Sequence, residues 1–251
     1  MIRYYRLFRT FKNWWLYLLY KFGFAVGQPM LFKTRNGLFV EVPRRLMHTF
    51  KAIFVDAGYM IGMGKAIPSN ATIIDIGANA GYFTIYAASK YPRALLLAYE
   101  PIPVNYAQLE RHRDLNRAHN IRCFPTAVSG HCGTIELFFD SSDSFTTSAT
   151  ILPAGVSSQD CLSVSCTTLQ NIFDDNQIEK CDLLKIDCEG AEYDILYSCT
   201  PEVLKRVDQI AMEVHRGKGE NQNINALDYF LREQGFSTRR RPVGKLWAWR
   251  P

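Results

Sequence analysis

Apolar runs and amphipathic stretches alternate along most of the chain, in the strand-helix-strand order that builds a parallel sheet. Residues 71–76 are a short β-branched run, followed over 82–90 by Phe83, Tyr86 and Ala87 at helical spacing. Residues 94–99 are a second apolar run, after which Leu109 and Leu115 predict a helix opened by Asn105. Shorter strands are expected over 121–124, 134–139 and 161–167, with a helix starting at Leu169. Residues 181–186 and 209–215 read as two more core strands. A helix over 226–234, stopped by Gly235, leads to an antiparallel pair over 236–241 and 245–249. The polar run of 140–148 has no packing period, and reads as a solvent loop or as a lid over an acceptor pocket.

The N-terminal pattern is different. Residues 30–42 read as a hairpin about Asn36-Gly37, and 51–63 as a helix leading into the first core strand. Three parts are expected: a basic aromatic N-terminal helix (1–28), a hairpin and helical lead-in (29–70), and a catalytic domain (71–251). With 251 residues, 47% of them hydrophobic, the chain can bury one large α/β core. Its formal charge of +5 belongs to the N-terminus, because residues 1–51 hold ten Lys or Arg against the single acid Glu41. In residues 1–24 those cations interleave with Tyr, Phe and Trp. That composition suits an anionic membrane surface, a packing face on the domain, or a partner subunit in a homo-oligomer. The charge-free run of 13–20 is too short to span a bilayer, which takes about 20 residues. As a signal peptide it would be a poor one, with a short, aromatic apolar core and no clean small-x-small cleavage site after it.

Chemistry concentrates at three strand ends. The first run ends in Asp75-Ile76-Gly77-Ala78-Asn79-Ala80-Gly81, where glycines let the backbone turn tightly and approach a ligand. Gly-x-x-x-Gly after an acid is not the dinucleotide fingerprint, and Asp75 suits a cationic ligand better than a phosphate. Glu100-Pro101 ends the second run 25 residues later, where an acid can accept from both ribose hydroxyls. The third end is Lys185-Ile186-Asp187-Cys188-Glu189-Gly190-Ala191-Glu192. Alternation puts Lys185, Asp187 and Glu189 on one side, and a lysine inside an apolar strand needs a carboxylate partner. A purely structural ion pair beside an acid-rich helix start would also account for that string. His215, at the tip of the next strand with Glu213, is a candidate general base.

Asp75-x-Gly77-x-Asn79-x-Gly81, Tyr99-Glu100-Pro101 and Leu184-Lys185-Ile186-Asp187-x-Glu189-Gly190-Ala191-Glu192 together resemble the FkbM family of S-adenosylmethionine-dependent methyltransferases. The likeness runs from about Leu31 to the C-terminus. It implies a Rossmann-like seven-stranded sheet, mostly parallel with one antiparallel strand and helices on both faces. The implied reaction is O-methyl transfer to a hydroxyl of a sugar, glycan, glycolipid or secondary metabolite. By the same likeness Asp75, Gly77, Asn79 and Gly81, with Tyr82 beside them, surround the methionine part of S-adenosylmethionine. Glu100, with Pro101 and Asn105, holds the ribose, Ala127 covers the adenine, and Asp187 lies near the transferred methyl. Lys185, Glu189 and His215 complete the catalytic candidates. A non-catalytic membrane-bound scaffold and a dinucleotide oxidoreductase are the competing readings. Seven cysteines without Cys-x-x-Cys suggest a reducing, cytoplasmic setting; they and the five histidines lack zinc spacing, so no metal is expected, nor is nucleic acid.

Overall fold

The computed structural model describes residues 2–24, 27–139, 145, 160–241 and 244–251. The polar run of 140–148 lies outside these apart from Phe145, so neither of its readings is addressed. The N-terminal stretch forms two helices, α1 (Ile2–Thr10) and α2 (Trp15–Lys21), where one was expected. They separate at Phe11, which bridges Thr34 and is fully buried against Phe32, Phe50 and Phe54 at ring-centroid distances of 5.4, 5.1 and 5.7 Å. Burying a phenylalanine contributes roughly 2 kcal/mol, more than the net value of the helical hydrogen bond given up there. Leu7 is buried beside it while Tyr4, Tyr5 and Phe8 stay exposed, so α1 packs by one face only.

The expected hairpin is formed by β1 (Met30–Lys33) and β2 (Phe39–Val42). Glu41, the one acid of this region, anchors it: its carboxylate pairs with Arg111 and accepts from Gln108 at 3.2 Å. Its backbone N–H donates to His112 Nε2 at 2.9 Å, and His112 Nδ1 lies 2.6 Å from Ala80 O. Burial lowers the pKa of His112, so the neutral ring joins the hairpin to the Gly-rich loop. The next helix, α3 (Met47–Phe54), starts and stops earlier than the spacing suggests. Ala57 takes a left-handed φ of 53° just after it. Residues 55–70 cross instead to the C-terminal strands, where a Cβ on Gly62 would sit 2.2 Å from the Trp247 ring.

The chain then runs β3 (Thr72–Ile76), α4 (Tyr82–Lys90), β4 (Leu95–Tyr99), α5 (Pro103–Leu115), β5 (Ile121–Phe124), β6 (Ala127–Val128), β7 (Gly133–Phe139) and β8 (Asp160–Thr167). It continues α6 (Leu169–Asp175), β9 (Leu183–Ile186), α7 (Glu192–Tyr197), α8 (Pro201–Lys205), β10 (Gln209–Glu213), α9 (Ile224–Glu233), β11 (Ser237–Arg241) and β12 (Lys245–Trp249). Seven strands form one sheet in the order β11-β12-β10-β9-β3-β4-β5, with β12 alone antiparallel to the rest. Alternate residues feed opposite faces: Ile73, Leu96, Leu183 and Ala211 join α3 and α4 in one core cluster, while Ile74, Leu97, Leu184 and Ile210 join α6 to α9 in the other. β6, β8 and β7 make a separate three-stranded sheet with its own small core around Ile135, Leu137 and Val164.

Candidate active site

Asp75 on β3 and Lys185 on β9 are direct neighbours across the central strand pair. Both are buried, with Lys185 Nζ 2.9 Å from Asp75 Oδ1. The second oxygen of Asp75 accepts from Thr84 Oγ1 at 2.5 Å. Lys185 also donates to the carbonyls of Gly77 at 2.6 Å and Ile76 at 3.3 Å, pinning the turn that follows β3. Burial alone would lower its pKa, but the charges of Asp75 and Asp187 raise it, so it stays a cation.

That turn demands glycine. Gly77 has φ 71°, and a Cβ there would lie 1.9 Å from the carbonyl oxygen of Asp187. The N–H groups of Gly77 and Ala78 both donate to Tyr99 O at 3.0 Å, and Asn79 N donates to Glu100 Oε2 at 2.8 Å. Glu100 Oε1 accepts from Ile102 N at 2.9 Å, at the start of α5. Burial pushes the Glu100 carboxyl up to about 7 against these donors.

A cleft of about 370 Å³ opens over the C-terminal ends of β3, β4, β9 and β10, where open α/β sheets bind ligands. One end is apolar, walled by Ile102, Ala127, Val128, Ile135 and Leu137. Its far end is charged. Asp187 Oδ2 accepts from Tyr59 OH at 2.6 Å and lies 4.0 Å from Lys185 Nζ. Tyr59 OH is also 3.4 Å from Glu213, which is ion-paired with Lys245, and Lys245 Nζ sits 4.0 Å over the Tyr59 ring. Burial and the charge of Asp187 hold the Tyr59 hydroxyl protonated.

His215 lies between two carboxylates, with Nδ1 2.6 Å from Glu192 Oε1 and Nε2 3.6 Å from Glu189 Oε2. Burial would lower its pKa, but the hydrogen bond to Glu192 and the charges of Glu192, Glu189 and Asp187 lift it to about 9. Glu192 is fully buried, and its other oxygen has no hydrogen-bond partner among the described residues, so the imidazolium is what neutralises it.

Residues 75–238 match the model of the "Methyltransferase FkbM domain" family. The chain belongs to the FkbM methyltransferase family. Among curated relatives, "Methyltransferase sdnD" of Sordaria araneosa is 30% identical over 220 residues, 76% of this chain and 82% of its own length. The "31-O-demethyl-FK506 methyltransferase FkbM" of Streptomyces tacrolimicus is 27% identical over 218 residues, 75% of this chain and 80% of its own. A solved structure of the methyltransferase FkbM from Methylobacillus flagellatus KT superposes with a TM-score of 0.50 at 12% identity, covering 82% of this chain and 54% of that one, and shows the shared fold. These matches lend no support to a dinucleotide oxidoreductase or a scaffold.

In this FkbM methyltransferase the cleft brings together Gly77, Asn79, Tyr82, Glu100, Pro101, Asn105, Ala127, Lys185, Asp187, Glu189 and His215. Two expected cofactor residues do not line it. Asp75 has Lys185 as its cationic partner and exposes no surface to a ligand. Gly81 faces α5, where a Cβ would meet Leu109 Cδ1 at 2.5 Å. The Tyr82 hydroxyl is committed to Glu41 O at 3.0 Å, which leaves its ring as wall. Lys185 and Asp187 meet as the alternation suggested, but the backbone leaves the strand after Ile186, and Glu189, at φ 48°, turns to His215 instead. Neutral imidazole, the form a base requires, is the minor form of His215 at neutral pH. Tyr59, Glu192 and Lys245 join the site without having been expected there.

Proposed function

We propose that this methyltransferase uses S-adenosylmethionine to methylate a hydroxyl oxygen of a sugar, glycan, glycolipid or secondary metabolite. The observation that carries the reading is the polarity of one continuous cleft, which runs from an apolar end past the buried Glu100 to the Asp187 cluster. A carboxylate can accept at about four lone-pair positions; Asn79 N takes one on Glu100 Oε2, while Ile102 N and Asn105 Nδ2, the latter at 3.5 Å, take those of Oε1. The remaining pair, on Oε2, suits a ribose hydroxyl, the residues at Ala127, Ile135 and Leu137 suit an adenine, and the Gly77–Asn79 backbone suits the amino-acid end. The donor set therefore fits S-adenosylmethionine, which supplies an electrophilic methyl group when bound.

The chain's own part is alignment, exclusion of water and proton removal. Asp187 is the proposed base: Tyr59 holds one of its oxygens and Lys185 stands behind it. It takes the proton from the acceptor hydroxyl as the oxygen attacks. Glu189 is placed to accept from a second acceptor hydroxyl, and the His215 imidazolium orients it. Calorimetric titration of S-adenosylmethionine tests the cofactor assignment, with binding expected in the wild type and lost in Glu100→Ala. Asp187→Asn should keep that binding and lose transfer by about a hundredfold or more. A folded wild-type chain that binds no S-adenosylmethionine overturns the proposal.

A further inference from the structure

Twelve large hydrophobic side chains are exposed among the described residues, and seven of them fall in the first 31 positions. That concentration has a definite chemistry. Leu7 and Phe11 anchor α1 inward, which leaves Tyr4, Tyr5 and Phe8 outside, and α2 and its end add Trp15, Phe22 and Phe24. Phe22 and Phe24 are 70% and 63% exposed, far beyond what a loosely covered core position shows. The two helices form one patch, since Lys21 at the end of α2 contacts Tyr4 OH of α1.

Cations are seated on this patch. Arg9 lies 5.8 Å over the Tyr5 ring, Lys21 4.9 Å over Tyr4, and Arg35 5.0 Å over Phe8. Residues 1–35 hold seven Lys or Arg and no acid. Exposed aromatic rings interleaved with unopposed cations are the composition of a helix that lies in a lipid interface, with rings at the headgroup boundary and cations on anionic headgroups. No helix among the described residues is long and apolar enough to cross a membrane, so the contact is lateral. On the inner side of α2, Arg44 lies 5.6 Å over the half-buried Tyr20 ring, and its chain neighbour Arg45 lines the cleft.

We propose that the outer face of α1 and α2 docks the protein on an anionic bilayer surface. The docking itself does not depend on the proposed reaction. Cosedimentation of the full chain with vesicles tests it, using phosphatidylcholine alone and phosphatidylcholine containing phosphatidylserine. Binding is expected only with phosphatidylserine, and should weaken steeply as salt rises. Each interfacial cation changes such binding about fivefold, so Arg9→Gln, Lys12→Gln and Lys21→Gln together should weaken it about a hundredfold. Phe22→Ser with Phe24→Ser should weaken it roughly tenfold at every salt concentration, because ring insertion is not screened. Melting curves and S-adenosylmethionine titration of these variants report the fold and the cofactor site separately from docking.

Three results would overturn the proposal. One is equal binding to neutral and anionic vesicles, or binding to neither. Another is sedimentation velocity showing a dimer that Phe22→Ser and Phe24→Ser dissolve, with no vesicle binding, which makes a second copy the occupant. The last is a single-stranded RNA that binds the patch while anionic vesicles do not.

Discussion

Replacing Lys185 by methionine removes the one positive charge buried between Asp75 and Asp187, at 2.9 and 4.0 Å, and keeps most of the side-chain volume. Asp75 then remains in the centre of the sheet with one oxygen on Thr84 and no cation beside the other. Removing one partner of a buried pair costs about 3–5 kcal/mol, because the surviving charge keeps its desolvation penalty. In a domain of this size 1 kcal/mol shifts the melting temperature by about 2–4 °C, so a fall of roughly 6–20 °C is expected by circular dichroism. Asp75→Asn in the same chain removes the stranded charge and should restore about half of the loss. The double variant would still bind cofactor poorly, since the carbonyls of Ile76 and Gly77 have lost the ammonium that holds their turn. A Lys185→Met protein that melts within about 2 °C of wild type would refute the reasoning, as would a double variant no more stable than the single one.

Glu100 titrates near 7 when folded against 4.5 in its ordinary state. The folded chain therefore holds a proton that the unfolded chain has lost, and stability should fall by up to roughly 3 kcal/mol as pH rises across that window. Urea denaturation at several pH values should show this slope in the wild type and not in Glu100→Gln. His215 carries the same sign of dependence in a higher pH window: its folded pKa of about 9 lies above the ordinary 6.5. Its stabilisation is complete below 6.5 and disappears as pH climbs through about 9, and His215→Gln should flatten that limb of the stability curve. Gly77→Ala should destabilise by about 2–3 kcal/mol in chemical denaturation, because its Cβ meets the Asp187 carbonyl at 1.9 Å and φ is 71°. A variant at that position with wild-type stability and cofactor affinity would show that the turn relaxes freely.

The core of the fold was legible because its strands are buried on both faces. Such strands read as short continuous apolar runs, and β3, β4, β9 and β10 begin and end within two residues of where those runs predict. Periodicity failed where packing between distant segments overrules local spacing. Residues 51–63 carry apolar positions at helical intervals, yet α3 ends at Phe54, because the segment after it folds onto Trp247 and Trp249 at the far end of the chain. The N-terminal helix breaks for a similar reason, with Phe11 drawn into an aromatic cluster built from β1 and α3. The grouping of β6, β7 and β8 into their own sheet depends on long-range pairing that no local pattern encodes.

The site follows the same division. Lys185, Asp187 and Glu100 were visible because a charged residue at the end of an apolar strand is costly to bury and needs a reason in the sequence itself. Asp75 satisfied that criterion equally well, and what separates it from Asp187 is its partner: Lys185 sits directly across the ladder from Asp75 and claims it, whereas Asp187 lies beyond the last paired residue of β9 and reaches the cleft. Tyr59 carried no such mark. It lies in an irregular stretch, with its carbonyl fixed by Trp247 Nε1 at 2.7 Å and its hydroxyl set on Asp187 at 2.6 Å, so its position is determined by β12 and β9 rather than by its neighbours in sequence. The glycines at 58, 62 and 64 were the available signal, since so many in one short span imply close approach by another part of the chain. The imidazolium of His215 was hidden for a related reason: its charge is imposed by Glu192, which the sequence places in the first turn of α7 and the fold turns inward beneath β10. Strand-end position therefore identified the acids and bases of this cleft, while their protonation states were set by partners that only tertiary packing supplies.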